Sequence, residues 1–553
     1  MPAVTTEINI AAALHNQTGS RPDALALVTG KDGSYRQWTF SEILASANRY
    51  AVALEAQGIA RGDRVMLMVR PSMEFICLSF ALFQLGAVVI LIDPGMGYKN
   101  LLRCIGSVRP EALVALPQVQ LLARMFRKPF QSVRTRICVG FSAGLLGKSL
   151  AAISRNVSTH YTPVAVRHDE LAAVIFTTGS TGPPKGVQYT HGVFSSQLQL
   201  IRDYFGIGPD DVDQPGFPLF GLFAAALGAA AVIPDMDPTR PAQVDPEKFI
   251  RSINDWQVTY SFGSPAIWNV VSRFCLERKI TLPLKKILMA GAPVSGELVD
   301  RVQRIMASGG EIFTPYGATE SLPATCITGR EIVGKTWPLT RVGRGTCVGR
   351  ALPGMEVAVI EPVDGPIASW QECRSLPAGE IGEIVVRGPV VTPAYDRNPE
   401  ETRLAKIADN GSFFHRMGDM GYLDERGRLW FCGRKAHRVL TTDGPLYTIC
   451  CEAIFNEHPL VRRSALVGLG RDGNSLPVLI VETDGKVEDT EHLFAQLREL
   501  GRANPLTEKI DRFLVHPSFP VDIRHNAKIF REKLAVWAAR QLHFQSASCT
   551  DGL

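Results

Sequence analysis

The sequence predicts an α/β protein with a large N-terminal domain and a smaller C-terminal one. The large domain, residues 1–433, combines parallel-type sheets and helices with a small β-rich subdomain. A small, mobile α+β domain over residues 434–553 follows it. Three observations predict this. At 553 residues the chain exceeds what one compact core accommodates, so at least two domains are expected. Its N-terminal part reads strand, helix, strand, which implies a parallel sheet. After about residue 340 the texture changes to short strands separated by Gly and Pro turns.

The elements follow in order. Trp38 to Gly58 predicts a helix, started by a T-x-x-E capping box at Thr39 and Glu42. Ile43, Leu44, Ala47, Ala51 and Leu54 recur at helical spacing, and Gly58 stops the helix. Arg64 to Val69 predicts a strand, Glu74 to Leu85 a helix, and Ala87 to Ile92 a second strand. Leu121 to Arg136 predicts a basic amphipathic helix carrying Arg124, Arg127, Lys128, Arg134 and Arg136. Such a face can lie on anionic lipid or dock a partner, although a solvated helix face is the plainer reading. Leu171 to Phe176 is a buried strand, and Gly216 to Pro234 divides into helix, turn and strand. Thr259 to Phe262, Lys286 to Met289 and Glu311 to Thr314 predict further strands, with helices at Pro265 to Glu277 and Glu297 to Ala307. The β-rich part takes Glu356 to Ile360, Gly382 to Arg387, Gly421 to Asp424 and Leu429 to Phe431. The last domain takes strands at Ala465 to Gly468, Pro477 to Glu482 and Phe513 to His516, with helices at Glu491 to Leu500 and Ile529 to Gln541.

Composition excludes several classes. A net charge of +5 is small for this length and does not argue for a nucleic-acid partner, which usually needs a concentrated basic stripe, so none is expected. The eleven cysteines are scattered without C-x-x-C spacing, so a reducing cytoplasm and no zinc site are expected. The N-terminus shows no basic leader followed by an apolar run, so no secretory signal is expected.

Chemistry concentrates in Thr177 to Val187, TTGSTGPPKGV, directly after a buried strand. Thr177, Thr178, Ser180 and Thr181 supply hydroxyls, Gly179 and Gly182 let backbone N–H groups turn inward, and Lys185 adds positive charge. A polyphosphate is the natural guest of such a nest, against the plain alternative of a polar surface turn. No hydroxyl stands beside Lys185 to hold magnesium, so this is not a Walker A loop.

This stretch resembles the phosphate loop of the adenylate-forming superfamily, which activates a carboxylate with ATP to give an acyl-adenylate and pyrophosphate. The order TFSEIL, GIARGDRV, ALFQLGAVVILIDPG is similar to the same superfamily's N-terminal region. The resemblance implies ATP and Mg2+ as cofactors. It implies that Gly291, Ala292 and Pro293 lie against the adenine face. In YGATE it implies that Tyr316 borders the adenine, that Gly317 belongs to the same cofactor-binding set, that Thr319 hydrogen-bonds the α-phosphate and that Glu320 holds the metal. Asp419, in MGDMGYLD, would accept from the ribose hydroxyls, with Arg434 beside it. Lys528 would reach the attacking carboxylate; read alone it is a solvated lysine. The sequence departs from the family pattern at Ala436, where the hinge residue is usually Asp or Lys, and at Ala527, where Gly usually precedes the lysine.

The resemblance also places FPLFGLFAAALG, Phe217 to Gly228, along an acyl pocket, where small and apolar residues favour a long alkyl chain. The wording of VILIDPGMG, TTGSTGPPKGVQYTHG, GRKAHRV and DIRHNAKIFREKLA resembles the β-lactone-forming members of long-chain hydrocarbon biosynthesis. That implies a 2-alkyl-3-hydroxy acid whose own 3-hydroxyl expels AMP. It also implies assembly with a neighbouring reductase and a β-lactone decarboxylase, in the cytoplasm or at a membrane surface. A long-chain fatty acyl-CoA ligase and a non-catalytic scaffold are the alternatives; intact Thr319, Glu320, Asp419 and Lys528 speak against the scaffold.

Overall fold

The computed structural model describes residues 9–142, 144–177, 183–217, 219–471, 473–485, 487–521 and 529–543. Two large sheets dominate it. The seven-stranded sheet begins with the predicted β-α-β unit: the strand Arg64–Met68, the helix Met73–Gln84 and the strand Val88–Leu91. Parallel pairing extends from these strands to Ala112–Ala115, Thr135–Cys138 and Leu171–Phe176. Those strands read as continuous apolar runs because helices cover the sheet. Phe176 then pairs antiparallel with Gly186 on the return strand Gly186–Thr190.

The fourteen-stranded sheet changes character along its length. One half is mainly parallel, from Leu25–Lys31 through Ala230–Ile233, Tyr260–Gly263 and Lys286–Met289 to Glu311–Ala318. There it turns antiparallel through the hairpin of Glu311–Ala318 with Ser321–Thr328. The predicted β-rich part, Glu356–Ile360 to Leu429–Arg434, continues this sheet by antiparallel pairing. Residues 391–396 tie the two sheets together. Gln188 N donates to Ala394 O at 3.0 Å, Asp396 N donates to Gly186 O at 2.7 Å, and the Arg64 guanidinium pairs with Asp396.

The capping box at Thr39 forms: Glu42 N donates to Thr39 Oγ1 at 3.3 Å and Thr39 N donates to Glu42 Oε2 at 2.8 Å. The helix it opens, Phe40–Ala56, buries Ile43, Ala47, Ala51 and Leu54. The expected helix over Leu121 to Arg136 is corrected. A helix runs over Pro117–Met125, a short 3-10 turn over Lys128–Phe130, and Arg136 lies on the strand Thr135–Cys138. Pro129 explains the break, since its ring cannot sit inside a continuing helix.

After residue 438 the chain builds separate sheets. A hairpin pairs Val439–Thr441 with Gly444–Leu446, and a three-stranded sheet joins Val461–Leu469, Leu476–Thr483 and Arg512–Val515. The helices Thr490–Arg502 and Arg531–Gln541 pack on it through two clusters, one around Phe455 and Leu497, the other around Ile480 and Leu534.

Candidate active site

The loop after Phe176 is closed at its neck. Thr177 N donates to Lys185 O at 2.9 Å, and Lys185 N donates to Thr177 Oγ1 at 3.3 Å. Thr178, Gly179, Ser180, Thr181 and Gly182 lie outside the described residues. The Lys185 amine pairs with Glu401 and sits 5.1 Å from the ring centre of Tyr395.

Tyr395 links this lysine to the second loop. Its hydroxyl donates to Glu320 Oε1 at 2.6 Å. Burial pushes the phenol far above its ordinary range, and the Glu320 charge adds to this, so Tyr395 stays a donor. Thr319 and Glu320 form the turn between the hairpin strands and are fixed from behind. Tyr189 OH donates to Thr319 O at 2.6 Å, while Thr392 N and Oγ1 donate to Glu320 O at 2.9 and 3.1 Å. The turn admits no side chain at Gly317, where a Cβ would lie 2.2 Å from Ser321 O.

Asp419 and Arg434 face each other across neighbouring strands, with Arg434 Nη1 2.9 Å from Asp419 Oδ1. Tyr316 OH donates to Asp419 Oδ2 at 2.6 Å. The Asp419 charge raises the Arg434 guanidinium's pKa, and burial, reinforced by that charge, pushes the Tyr316 phenol well up. Gly291 to Pro293 follow the strand Lys286–Met289, with Gly291 at φ +97°.

A single cavity of about 1100 Å3 collects these residues. Thr177, Lys185, Gly291, Ala292, Pro293, Tyr316, Gly317, Thr319, Glu320, Asp419 and Arg434 all line it. Lys528 lies outside the described residues, but its neighbours Ile529 and Arg531 reach the same wall. Arg531 is anchored by Glu452, Nη2 to Oε2 at 2.6 Å; burial raises the Glu452 pKa and Arg531 opposes it. The volume lies slightly above the usual range of about 300–1,000 Å3 for ligand pockets.

The cavity has an apolar arm. Phe220 and Phe223, on the helix Phe220–Leu227, line it with Phe262. The Phe220 and Phe262 rings stack at 3.6 Å between centroids. Both also border a small apolar cavity of about 40 Å3 behind them.

Sequence reasoning misses Tyr395, Tyr189 and Glu401, as well as a polar pair under Glu320. Lys406 and His415 stand opposite each other in antiparallel register. The Lys406 amine donates to Thr392 O, and burial lowers its pKa to about 7 against a smaller opposing pull from Glu320. Burial, with the Lys406 charge, holds His415 well below the ordinary histidine range and therefore neutral. One signal was present: Asn398-Pro399-Glu400-Glu401 is a helix start, and Asn398 Oδ1 accepts from Glu401 N at 3.3 Å.

Comparison with known proteins follows this geometry. The model of the AMP-binding enzyme family matches residues 14–396. The olefin beta-lactone synthetase of Xanthomonas campestris pv. campestris is 43% identical, covering 97% of this chain and 99% of its own. That of Stenotrophomonas maltophilia is also 43% identical, over 97% and 98%. A long-chain-fatty-acid–CoA ligase of Thermus thermophilus is 24% identical over 85% of each chain. Among solved structures, ATP-bound MatB from Rhodopseudomonas palustris matches with a TM-score of 0.79 at 23% identity, over 97% of this chain and 100% of its own. That likeness concerns the fold.

Proposed function

This chain belongs to the AMP-binding enzyme family, and from that membership we propose that it adenylates a long-chain 2-alkyl-3-hydroxy acid and closes it to a β-lactone. The substrate carboxylate attacks the α-phosphorus of ATP, and the bond to the bridging oxygen breaks to release pyrophosphate. The substrate's 3-hydroxyl then attacks the acyl carbonyl. The bond to AMP breaks, the hydroxyl proton leaves, and a four-membered lactone remains. The internal nucleophile has a high effective molarity, which offsets part of the ring strain. The observation that carries this reading is the 43% identity to two olefin beta-lactone synthetases over essentially the full length of each chain.

We assign residue roles from the family resemblance, and the cavity lining supports them for the described residues. Thr177 and Lys185, with Thr178, Gly179, Ser180, Thr181 and Gly182, hold the β- and γ-phosphates. Tyr316 and Gly317, with Gly291 to Pro293, bound the adenine, and Asp419 with Arg434 takes the ribose. Thr319 meets the α-phosphate. Glu320 suits magnesium: it lines the cavity beside the phosphate loop, and its Oε1 is oriented by Tyr395. No group of three His, Cys, Asp or Glu that could hold a metal occurs among the described residues. That agrees with an ion taken by one carboxylate and substrate phosphates. When bound, the ion neutralises phosphate charge during attack. Lys528 supplies a cation to the carboxylate from residues 434–553, which act as a lid on residues 1–433.

The 3-hydroxy substrate calls for a reductase to supply it, and the strained lactone for a decarboxylase to consume it; assembly with both fits this chemistry. The lipid character of the acid also calls for contact with a lipid surface. No helix among the described residues is long and apolar enough to cross a membrane. We place the chain in the cytoplasm, touching a membrane from one side.

The test is incubation of a syn 2-alkyl-3-hydroxy acid with ATP and magnesium, without coenzyme A. The expected products are β-lactone, AMP and pyrophosphate. Product formation that strictly requires coenzyme A refutes the lactone reading and leaves an acyl-CoA ligase.

A further inference from the structure

Charge is distributed unevenly along this chain. From Ala112 to His168 there is no Asp or Glu, while eight Lys or Arg occur. This acid-free stretch forms one edge of the seven-stranded sheet, whose order ends with Ala112–Ala115, Thr135–Cys138 and Lys148–Ser149. The modest net charge of +5 hides this asymmetry.

The same edge exposes large apolar side chains. Leu121 and Met125 lie one helical turn apart on Pro117–Met125, hence on one face, and are 53% and 69% exposed. The loop after Thr135–Cys138 runs alongside: Gly140 lies against the Pro117 ring, and the Arg124 guanidinium donates to Leu145 O. That loop presents Phe141, 84% exposed, and Leu145, 66% exposed. A contiguous exposed apolar patch of this kind marks an interaction site.

Arg124, Arg127 and Lys128 border the patch and are exposed, and no ion pair to any of them is found among the described residues. Burial, and then the like charge of Arg124, lower the Arg136 guanidinium's pKa. By contrast Arg134, farther along, is paired with Asp63. Apolar side chains ringed by cations match a bilayer surface, where rings and thioethers enter the acyl boundary and cations meet anionic headgroups.

We propose that the face formed by Leu121, Met125, Phe141 and Leu145, ringed by Arg124, Arg127 and Lys128, docks the protein on an anionic lipid bilayer. It relies on the long-chain reading of the substrate only for its purpose, which is access to an acid that partitions into lipid. Docking is peripheral, because no helix among the described residues is long and apolar enough to cross a membrane.

The test uses the full chain in sedimentation with phosphatidylglycerol-containing vesicles and with pure phosphatidylcholine vesicles, no substrate present. Wild type should bind the anionic vesicles and release them at high salt. Arg127→Glu with Lys128→Glu should weaken binding on the order of 100-fold, because each reversal turns an attraction into a repulsion. Met125→Ser with Phe141→Ser should weaken it at least tenfold while leaving the salt dependence in place. Pyrophosphate release from a short, water-soluble 3-hydroxy acid should be unchanged in both variants, so failure of the docking proposal is separable from failure of the adenylation reading. Equal binding to neutral and anionic vesicles, or binding that survives both pairs of substitutions, overturns the proposal. Absence of vesicle binding by the wild type also overturns it.

Discussion

Replacing Lys406 with Met should stabilise the protein in mild acid and destabilise it in alkali. The amine points inward from the strand Lys406–Asp409, donating to Thr392 O, although the residue as a whole is only partly covered. Burial lowers its pKa to about 7, whereas an unfolded chain keeps an ordinary lysine near 10.4. Below about pH 7 both states carry the proton, and the folded state bears the full cost of burying it. Between about pH 7 and 10 the folded state releases the proton while the unfolded chain keeps it, so stability rises with pH. At about 1.4 kcal/mol per pH unit the span gives a ceiling of about 5 kcal/mol. The partial exposure of the residue reduces this, and we expect about 2 kcal/mol.

Lys406→Met removes that cost but leaves Thr392 O without its donor, a loss of about 1 kcal/mol. The variant should therefore melt about one degree above wild type near pH 6 and about one degree below it near pH 10. Scanning calorimetry at both pH values measures the crossing. A variant destabilised equally at both values would show that the amine carries no burial cost, and the reasoning would fail.

Other expected outcomes concern the cavity. Asp419→Asn keeps the shape but removes the negative charge facing Arg434 and turns one of the two acceptor oxygens, shared between Arg434 and Tyr316, into an N–H donor. It should lower kcat/KM for ATP by about 100-fold, measured by pyrophosphate release. Tyr395→Phe frees Glu320 Oε1 and should raise the magnesium concentration for half-maximal rate about tenfold; an unchanged requirement would separate Tyr395 from the metal. Glu401→Gln releases Lys185 from a half-exposed ion pair and should lower KM for ATP by up to about fivefold. Lys528→Ala should all but abolish pyrophosphate release, and an unchanged rate would remove that lysine from the reaction.

How much of this is legible in the sequence depends on how local the signal is. Thr177, Lys185, Tyr316, Glu320, Asp419 and Arg434 each belong to a strand-and-turn pattern a few residues long, so the pattern points to them. Tyr395, Tyr189 and Glu401 carry no such mark. Their positions follow from pairings across 75, 130 and 216 positions, to Glu320, Thr319 and Lys185 in turn. Lys406 is illegible for another reason: its strand reads as half-exposed, and only the packing of His415 and Thr392 shows that the amine turns inward. The helix expected through Arg136 fails because a basic periodicity of the right spacing crosses Pro129, where backbone chemistry overrides pattern.

The two half-reactions also leave unequal traces. On the proposed assignment, the donors and carboxylates that grip ATP sit where each run reverses into a hairpin, after Phe176 and after Ala318. The two turns belong to different sheets, and residues 391–396, which pair with Gly186 and Gln188 and carry Tyr395 to Glu320, bring them to one cavity. The lactone-forming step needs no such side chains, because the substrate brings its own hydroxyl. What the protein must supply is a shape that folds the 3-hydroxyl back on the activated carbonyl and excludes water. The apolar arm beside the adenylate residues, narrowed by the stacked Phe220 and Phe262, is the part of the cavity able to impose it. Selectivity between lactone closure and transfer to an external thiol should therefore lie in those rings rather than in Glu320 or Asp419.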